Sequence, residues 1–381
     1  MVKHQKSHDF CYPIFSFDKA PIGKRFMPRL DKLLLDMAEK GASDLHVVVD
    51  QRPKYRIDGE VVVIEDYPVL DRKAAEEHLF ELMTPQQQAR YVEKLDFDFA
   101  YGLGDKFRYR CNYFFQRTGY GAVFRIIPTK ILTLEQLNLP PVLKNLTQLR
   151  SGLVLVTGPT GSGKSTTLAA MIDYINETQR RHILTIEDPV EFVHHNKKSI
   201  ISHREVGEHT DSFGSALRAV TRQDADVVLV GEMRDLETIS LALSAAAMGT
   251  LVYGTLHTNS APKTIDRIID VFPTDQQPQV RTMLAESLRG IVAQQLLRKM
   301  SGKGRVAVNE ILIGNRAMSS IIREGKIEKI ISILQSGGKE GMQTMDDALM
   351  KLVKAGTVDG RDAYMKALDK KNFVQFVEGE E

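Results

Sequence analysis

The chain has 381 residues, enough for two or three domains that each bury a core of their own. Its 51 basic and 49 acidic residues leave a formal net charge of +2, without the basic excess of a nucleic-acid binder, and its two cysteines, Cys11 and Cys111, read as a reduced pair rather than a zinc site or disulfide framework. No apolar run approaches the roughly 20 residues that span a bilayer, and the opening MVKHQKSHDF leads into no signal core, so a cytosolic protein without direct membrane insertion is expected.

Residues 1–27 mix His, Lys, Pro and aromatics without periodicity and read as an irregular arm. Leu30, Leu33, Leu34 and Met37 then mark one buried face of a helix that Gly41 stops. LHVVV and YRIDGEVVVI read as short strands with Asp58-Gly59 as a hairpin turn, and a helical stretch follows near Ala74 to Leu95. DFDFAY, FRYRCNYFF and GAVFRIIP are further strands, which makes residues 28–128 an α+β domain. Residues 129–150, broken by Pro140-Pro141, read as a linker. Between residues 151 and 315 short apolar runs alternate with helices: LVLVTG, HILTIED, DVVLVGE and TLVYGTLHT. Continuous apolar strands separated by helices predict an α/β core around a parallel sheet covered on both faces. Residues 316–381 are mainly helical, with His194, His195, His203 and His209 of the preceding segment read as solvated.

Gly158-Pro159-Thr160-Gly161-Ser162-Gly163-Lys164-Ser165 stands between an apolar strand and a helix, the context a phosphate loop requires. Its glycines let backbone N–H groups point inward, and the helix behind aims the positive end of its dipole at the same anion. Lys164 is then expected on the β- and γ-phosphates of ATP and the Ser165 hydroxyl on Mg²⁺, with Thr166 next along the helix. Such a loop needs carboxylates for the metal and the attacking water. Glu232 ends DVVLVGE, and Glu187 and Asp188 end HILTIED, where ligands gather in parallel sheets. Asp188 reads equally well as a helix cap. His257 ends GTLHTNS; alone it would read as a structural histidine, but three neighbouring strands already deliver candidates at the same sheet edge.

GPTGSGKST, HILTIEDPVEF, DVVLVGEMRDLETI and GTLHTNSA, in this order, resemble the secretion ATPase superfamily of type II secretion and type IV pilus motors. GASDLH, GAVFRIIP, KTIDRIIDVFP, IIREGK and GMQTMDDAL look like its PilT-type retraction branch, over roughly Arg29 to Gly356. The resemblance implies a PAS-like N-terminal domain joined flexibly to a RecA-like ATPase core. It also implies a homohexameric ring, and an inner-membrane pilus platform protein as the load at the pilus base. Glu232 then corresponds to the catalytic glutamate, Glu187 to the acidic box beside the metal and His257 to the histidine box. Arg110 and Arg125 match the N-domain arginines that reach the triphosphate, with Arg108 a third candidate. Arg218 and Arg222, four apart on a predicted helix, could face the site as well. IIREGK is tied by the resemblance to retraction; by itself it reads as an amphipathic core-packing helix.

Open alternatives are an accessory retraction paralogue working with other pilus motor ATPases, an assembly or type II secretion ATPase, a nucleic-acid translocase, and a non-hydrolysing nucleotide switch. Two cysteines cannot build the four-cysteine zinc insert of many assembly ATPases, the near-neutral charge disfavours nucleic acid, and Glu232 argues against a switch.

Overall fold

A computed structural model describes residues 28–104 and 106–377, so the arm at 1–27 and Cys11 lie outside the described residues. The N-terminal unit is a six-stranded antiparallel sheet with three helices on one face. Its elements are α1 (Arg29–Glu39), β1 (Asp44–Val48), β2 (Lys54–Ile57), β3 (Glu60–Val63), α2 (Arg72–Phe80), α3 (Pro85–Lys94), β4 (Asp96–Leu103), β5 (Phe107–Gln116) and β6 (Gly119–Ile127). The strand order is β3-β2-β1-β6-β5-β4. Leu30, Leu33, Leu34 and Met37 are all buried, as the stripe predicts. The stretch from Ala74 to Leu95, predicted as one helical segment, is two helices. Pro85 cannot sit inside a continuous helix, and Thr84 and Gln87 form a reciprocal capping box that starts α3 afresh.

Strand β5 decides which way this unit faces. Tyr109, Cys111 and Tyr113 alternate onto the helical face and are fully buried. The Tyr109 hydroxyl donates to the Leu34 carbonyl at 2.6 Å and the Tyr113 hydroxyl to that of Leu79 at 3.0 Å, which offsets the cost of burying both phenols. Burial also pushes the free Cys111 thiol well above its ordinary pKa, so it is an inert packing residue. The opposite face carries Arg108 and Arg110 toward the second unit.

That second unit is built on a seven-stranded sheet in the order β13-β12-β7-β11-β10-β8-β9. Its strands are β7 (Gly152–Thr157), β8 (His182–Glu187), β9 (Ile200–Glu205), β10 (Val227–Val230), β11 (Leu251–Leu256), β12 (Leu288–Arg298) and β13 (Arg305–Ile313). The helices are α4 (Val142–Thr147), α5 (Lys164–Thr178), α6 (Phe213–Ala219), α7 (Leu236–Ala247), α8 (Ala261–Asp270) and α9 (Gln277–Ser287). Then come α10 (Arg316–Glu324), α11 (Ile330–Ser336), α12 (Met345–Lys354) and α13 (Gly360–Lys366). The central strands β7, β10 and β11 are buried at every position, as expected of strands covered on both faces. The sheet is larger than the apolar runs predict, and it is not wholly parallel: β13 pairs antiparallel with β12.

The segment 129–150 does not hang between the units. Leu134, Leu139, Leu143 and Leu146 are buried against the second sheet, and the Tyr253 hydroxyl donates to the Leu146 carbonyl at 3.1 Å. At the other end α12 and α13 pack Met345, Leu349 and Ala363 on Leu297, Val306 and Val308 of the β12–β13 hairpin. Helix α10 buries Met318 and Ile322 in the main core and ends at Gly325, which takes a φ of +72°. Within IIREGK, Arg323, Glu324 and Lys326 are exposed, with Glu324 and Lys326 paired at 2.7 Å. Among the described residues no helix is long and apolar enough to cross a membrane.

The expectation of four solvated histidines needs correction. His195 and His209 are exposed, but His194 is buried and His203 half-buried, and their rings stack with centroids 6.0 Å apart. His203 accepts from the His194 backbone N–H at 3.1 Å through Nε2 and shares a hydrogen with Thr185 Oγ1 at 2.8 Å through Nδ1. Both reach it because β9, unread in the sequence, lies beside β8. Burial first, and then the neighbouring His194, Arg108 and His195, pull the His203 pKa down to about 4. The ring is therefore neutral in the fold while the unfolded chain protonates near 6.5. Its stabilising contribution is present above that value and is lost as pH falls toward 4. Relative to a His203→Gln variant, the parent should lose up to about 3 kcal/mol of unfolding free energy between those pH values. Chemical denaturation at pH 7, 6, 5 and 4 measures this, and parallel curves for the two proteins would refute it.

Candidate active site

A cavity of about 270 Å³ opens at the C-terminal edge of the second sheet. Thr160, Gly161, Lys164 and Ser165 line it from the loop and first turn of α5, Glu187 and Asp188 from the end of β8, Glu232 from beyond β10, and His257 from beyond β11. Parallel register makes this inevitable: β8, β10, β11 and β7 are paired side by side, so residues just past their C-terminal ends converge. Arg110 completes the wall from β5 of the N-terminal unit.

The loop itself is shaped by glycine. Gly158, Gly161 and Gly163 take φ values of +147°, +76° and +85°. A Cβ on Gly158 would stand 2.2 Å from the Gln294 carbonyl oxygen, so the backbone here approaches β12 as closely as it can. Lys164 Nζ donates to the carbonyls of Gly158 (2.8 Å) and Pro159 (3.1 Å). Burial lowers the lysine pKa, while Glu232 and Glu191 oppose that shift. Ser162 is buried behind the loop. Gly163 and Thr166 face a separate groove of about 350 Å³ walled by Leu132, Asn138, Leu296 and Arg305. Glycine conformations that shape the loop, an ammonium beside it and a serine hydroxyl at the helix start fit a nucleotide's phosphates and their cation.

Glu232 Oε1 lies 2.6 Å from Arg234 Nε and 3.0 Å from His257 Nε2. Burial alone would raise its pKa, but the Arg234 hydrogen bond and charge, with His257, hold it below the ordinary carboxylate range. Glu187 is the opposite case. It is 8% exposed, accepts from the Glu191 backbone N–H at 3.2 Å, and burial pushes its pKa up to about 7. Burial and the nearby Asp98 carboxylate likewise raise Asp188, against the opposing charge of Arg110. Two acids of contrasting basicity therefore share one cavity.

The candidate arginines separate. Arg110 is in the cavity wall, 3.5 Å from Asp98. Arg125 stands directly opposite Arg110 on β6, but its Nε donates to Asp44 at 2.8 Å and it does not line the cavity. Arg108 shares the Arg110 face and serves as a tie between units, donating to the Val190 carbonyl at 3.2 Å and to Glu205 at 3.3 Å. Arg218 is exposed and pairs with Glu237, and Arg222 is exposed; neither lines the cavity. Sequence reading missed Arg234 and Glu191, although both stand inside motifs it had marked, GEMRD and IEDPVEF.

A family model described as "Type II/IV secretion system protein" matches residues 18–365. The chain belongs to that family. The type IV pilus retractation ATPase PilT of Pseudomonas aeruginosa is 49% identical over 344 residues, covering 90% of this chain and 99% of the relative. The type IV pilus ATPase PilU of the same organism is 40% identical over 337 residues, 88% of each chain. A crystal structure of the pilus retraction motor PilT with bound ADP superposes with a TM-score of 0.84 at 45% identity, covering 91% of this chain and 99% of that one. This family member is thus an ATPase of the PilT retraction type, with an α/β nucleotide-using core.

Proposed function

We propose that the protein is a hexameric motor that hydrolyses ATP to drive type IV pilus retraction. The observation that carries this reading is the cavity that brings Lys164, Ser165, Glu187, Glu232 and His257 of one domain against Arg110 of the other. A site walled by two domains couples what fills it to their relative position. Closing on nucleotide and reopening after hydrolysis would let each subunit push on its neighbour. The load would be an inner-membrane pilus platform protein, met from the cytoplasmic face.

In this reading Lys164 and the loop amides from Gly158 to Thr166 bind the phosphates. The groove beyond Thr166, with its leucines and Asn138, takes the nucleoside. Ser165, Glu187 and Glu232 would hold Mg²⁺, which when bound neutralises charge developing between the β- and γ-phosphates. Glu232 orients the attacking water, and His257, 3.0 Å away, holds that carboxylate in place. Arg110 donates to oxygens of the γ-phosphate.

The test is steady-state ATPase activity against protein concentration, with light scattering to report size, followed by pili imaged in a deletion strain. Specific activity should rise as the ring assembles, and the deletion strain should extend pili that fail to retract. Full activity in a monomer would overturn the ring, and normal retraction in the deletion strain would overturn the primary motor role in favour of an accessory one.

A further inference from the structure

A chain of amides, buried at Gln294 and Asn309 and half-buried at Gln343, leaves the phosphate loop beside the groove that Gly163 and Thr166 face. Strand β12 runs beside β7 with Ala293 opposite Thr157, which sets Gln294 against the loop that follows. Gln294 is 1% exposed. Its Nε2 donates to the Ser162 carbonyl at 2.7 Å, while its Oε1 accepts from Thr167 Oγ1 at 2.8 Å and from Asn309 Nδ2 at 3.0 Å. One side chain therefore grips the last turn of the loop and the first turn of α5 together. Asn309, its cross-strand partner on β13, offers its own carbonyl to Gln343 Nε2 at 2.8 Å. Gln343 exchanges two backbone hydrogen bonds with Ile311, at 2.9 and 3.1 Å, and directly precedes Thr344, the N-cap of α12.

The next residue of β13 makes a parallel link. Glu310 is buried, accepts from the Ala261 N–H that opens α8 at 2.7 Å, and is hydrogen-bonded by the Met345 backbone at the start of α12. The strand thus joins α12 to the loop through Asn309 and to the segment after His257 through Glu310. Such amides cost more to bury than apolar groups of the same size, unless each donor and acceptor is met. Here Gln294 has partners at both its Nε2 and its Oε1, and the network specifies one geometry of the loop.

We propose that Gln294 is a positioning residue for ATP binding, and that through Asn309 and Gln343 it makes the phosphate loop's conformation depend on how α12 is seated. This rests on the phosphate-loop reading above. ADP binding by calorimetry and steady-state turnover are measured on the full chain for Gln294→Met, Gln343→Ala, the double variant and Lys164→Ala. Gln294→Met should raise the ADP Kd and the ATP KM by about tenfold, with a smaller fall in kcat. Gln343→Ala should raise both by about threefold, and the double variant should resemble Gln294→Met alone because the two act in series. Unchanged Kd and KM in a Gln294→Met protein that merely melts earlier would reduce the residue to a structural one. Parental affinity in Gln343→Ala, or additive effects, would cut the link to α12. Should Gln294→Met fail to fold, the half-buried Gln343 decides alone. Parental ADP affinity in Lys164→Ala would instead overturn the phosphate-loop reading itself.

Discussion

Glu232→Gln should lower ATP turnover by roughly 10²–10⁴-fold while leaving nucleotide affinity within about threefold of the parent. The substitution keeps the side chain's size and one oxygen, and removes the charge. Lys164 and the loop glycines, proposed above to bind the phosphates, are untouched. The site also indicates how the residue acts. Held at 2.6 Å from Arg234 and 3.0 Å from His257, its carboxylate lies below the ordinary range and is a weak proton acceptor. In the proposed role it would orient water with a fixed negative charge rather than store a proton. Arg234 is 74% exposed and is free to swing away when a water must be held instead. Single-turnover hydrolysis with fluorescent-ADP titration measures both halves of this expectation. Undiminished turnover would transfer the role to Glu187, whose pKa near 7 makes it the better base.

The two acids also show what the sequence could and could not disclose. Each was marked by its place at the end of an apolar run, because a strand buried on both faces must be apolar throughout and its end is therefore visible. Their contrasting basicity was not visible, since it depends on the depth of Glu187 and on two groups that only the fold brings to Glu232. The loop was legible for a different reason: glycine is the residue that takes positive φ values such as those at 158, 161 and 163 at least cost, so the geometry leaves a signature in the sequence. Strands β9, β12 and β13 were missed because polar residues interrupt them, among them His203, Gln294, Gln295, Asn309 and Glu310. Those interruptions are the side chains that bind the elements to their neighbours. Gln294 reaches Ser162 across 132 positions and Arg125 reaches Asp44 across 81, separations that only the completed sheets can close.

Arg110→Ala should lower turnover by about 10³-fold or more, the usual scale for a guanidinium that stabilises a transferring phosphoryl group. Arg125 presents a different problem. It stands one strand farther along the same row, paired with Asp44 and with 67% of its side chain exposed. A residue so placed cannot serve its own cavity without breaking that pair, but it is presented to whatever packs on this face. In a ring the neighbour's site is the natural acceptor, so Arg110 should act within its subunit and Arg125 across the subunit boundary. Mixing inactive proteins separates the two cases. Glu232→Gln subunits keep both arginines, and Arg125→Ala subunits keep an intact cavity, so mixed rings should recover part of the turnover that neither protein shows alone. Mixing Glu232→Gln with Arg110→Ala should recover none, because no ring position then combines an intact acid with its own Arg110. Recovery in both mixtures would place Arg110 across the boundary too, recovery in neither would place Arg125 within its own subunit, and parental turnover in Arg125→Ala alone would return it to the role of a surface partner for Asp44.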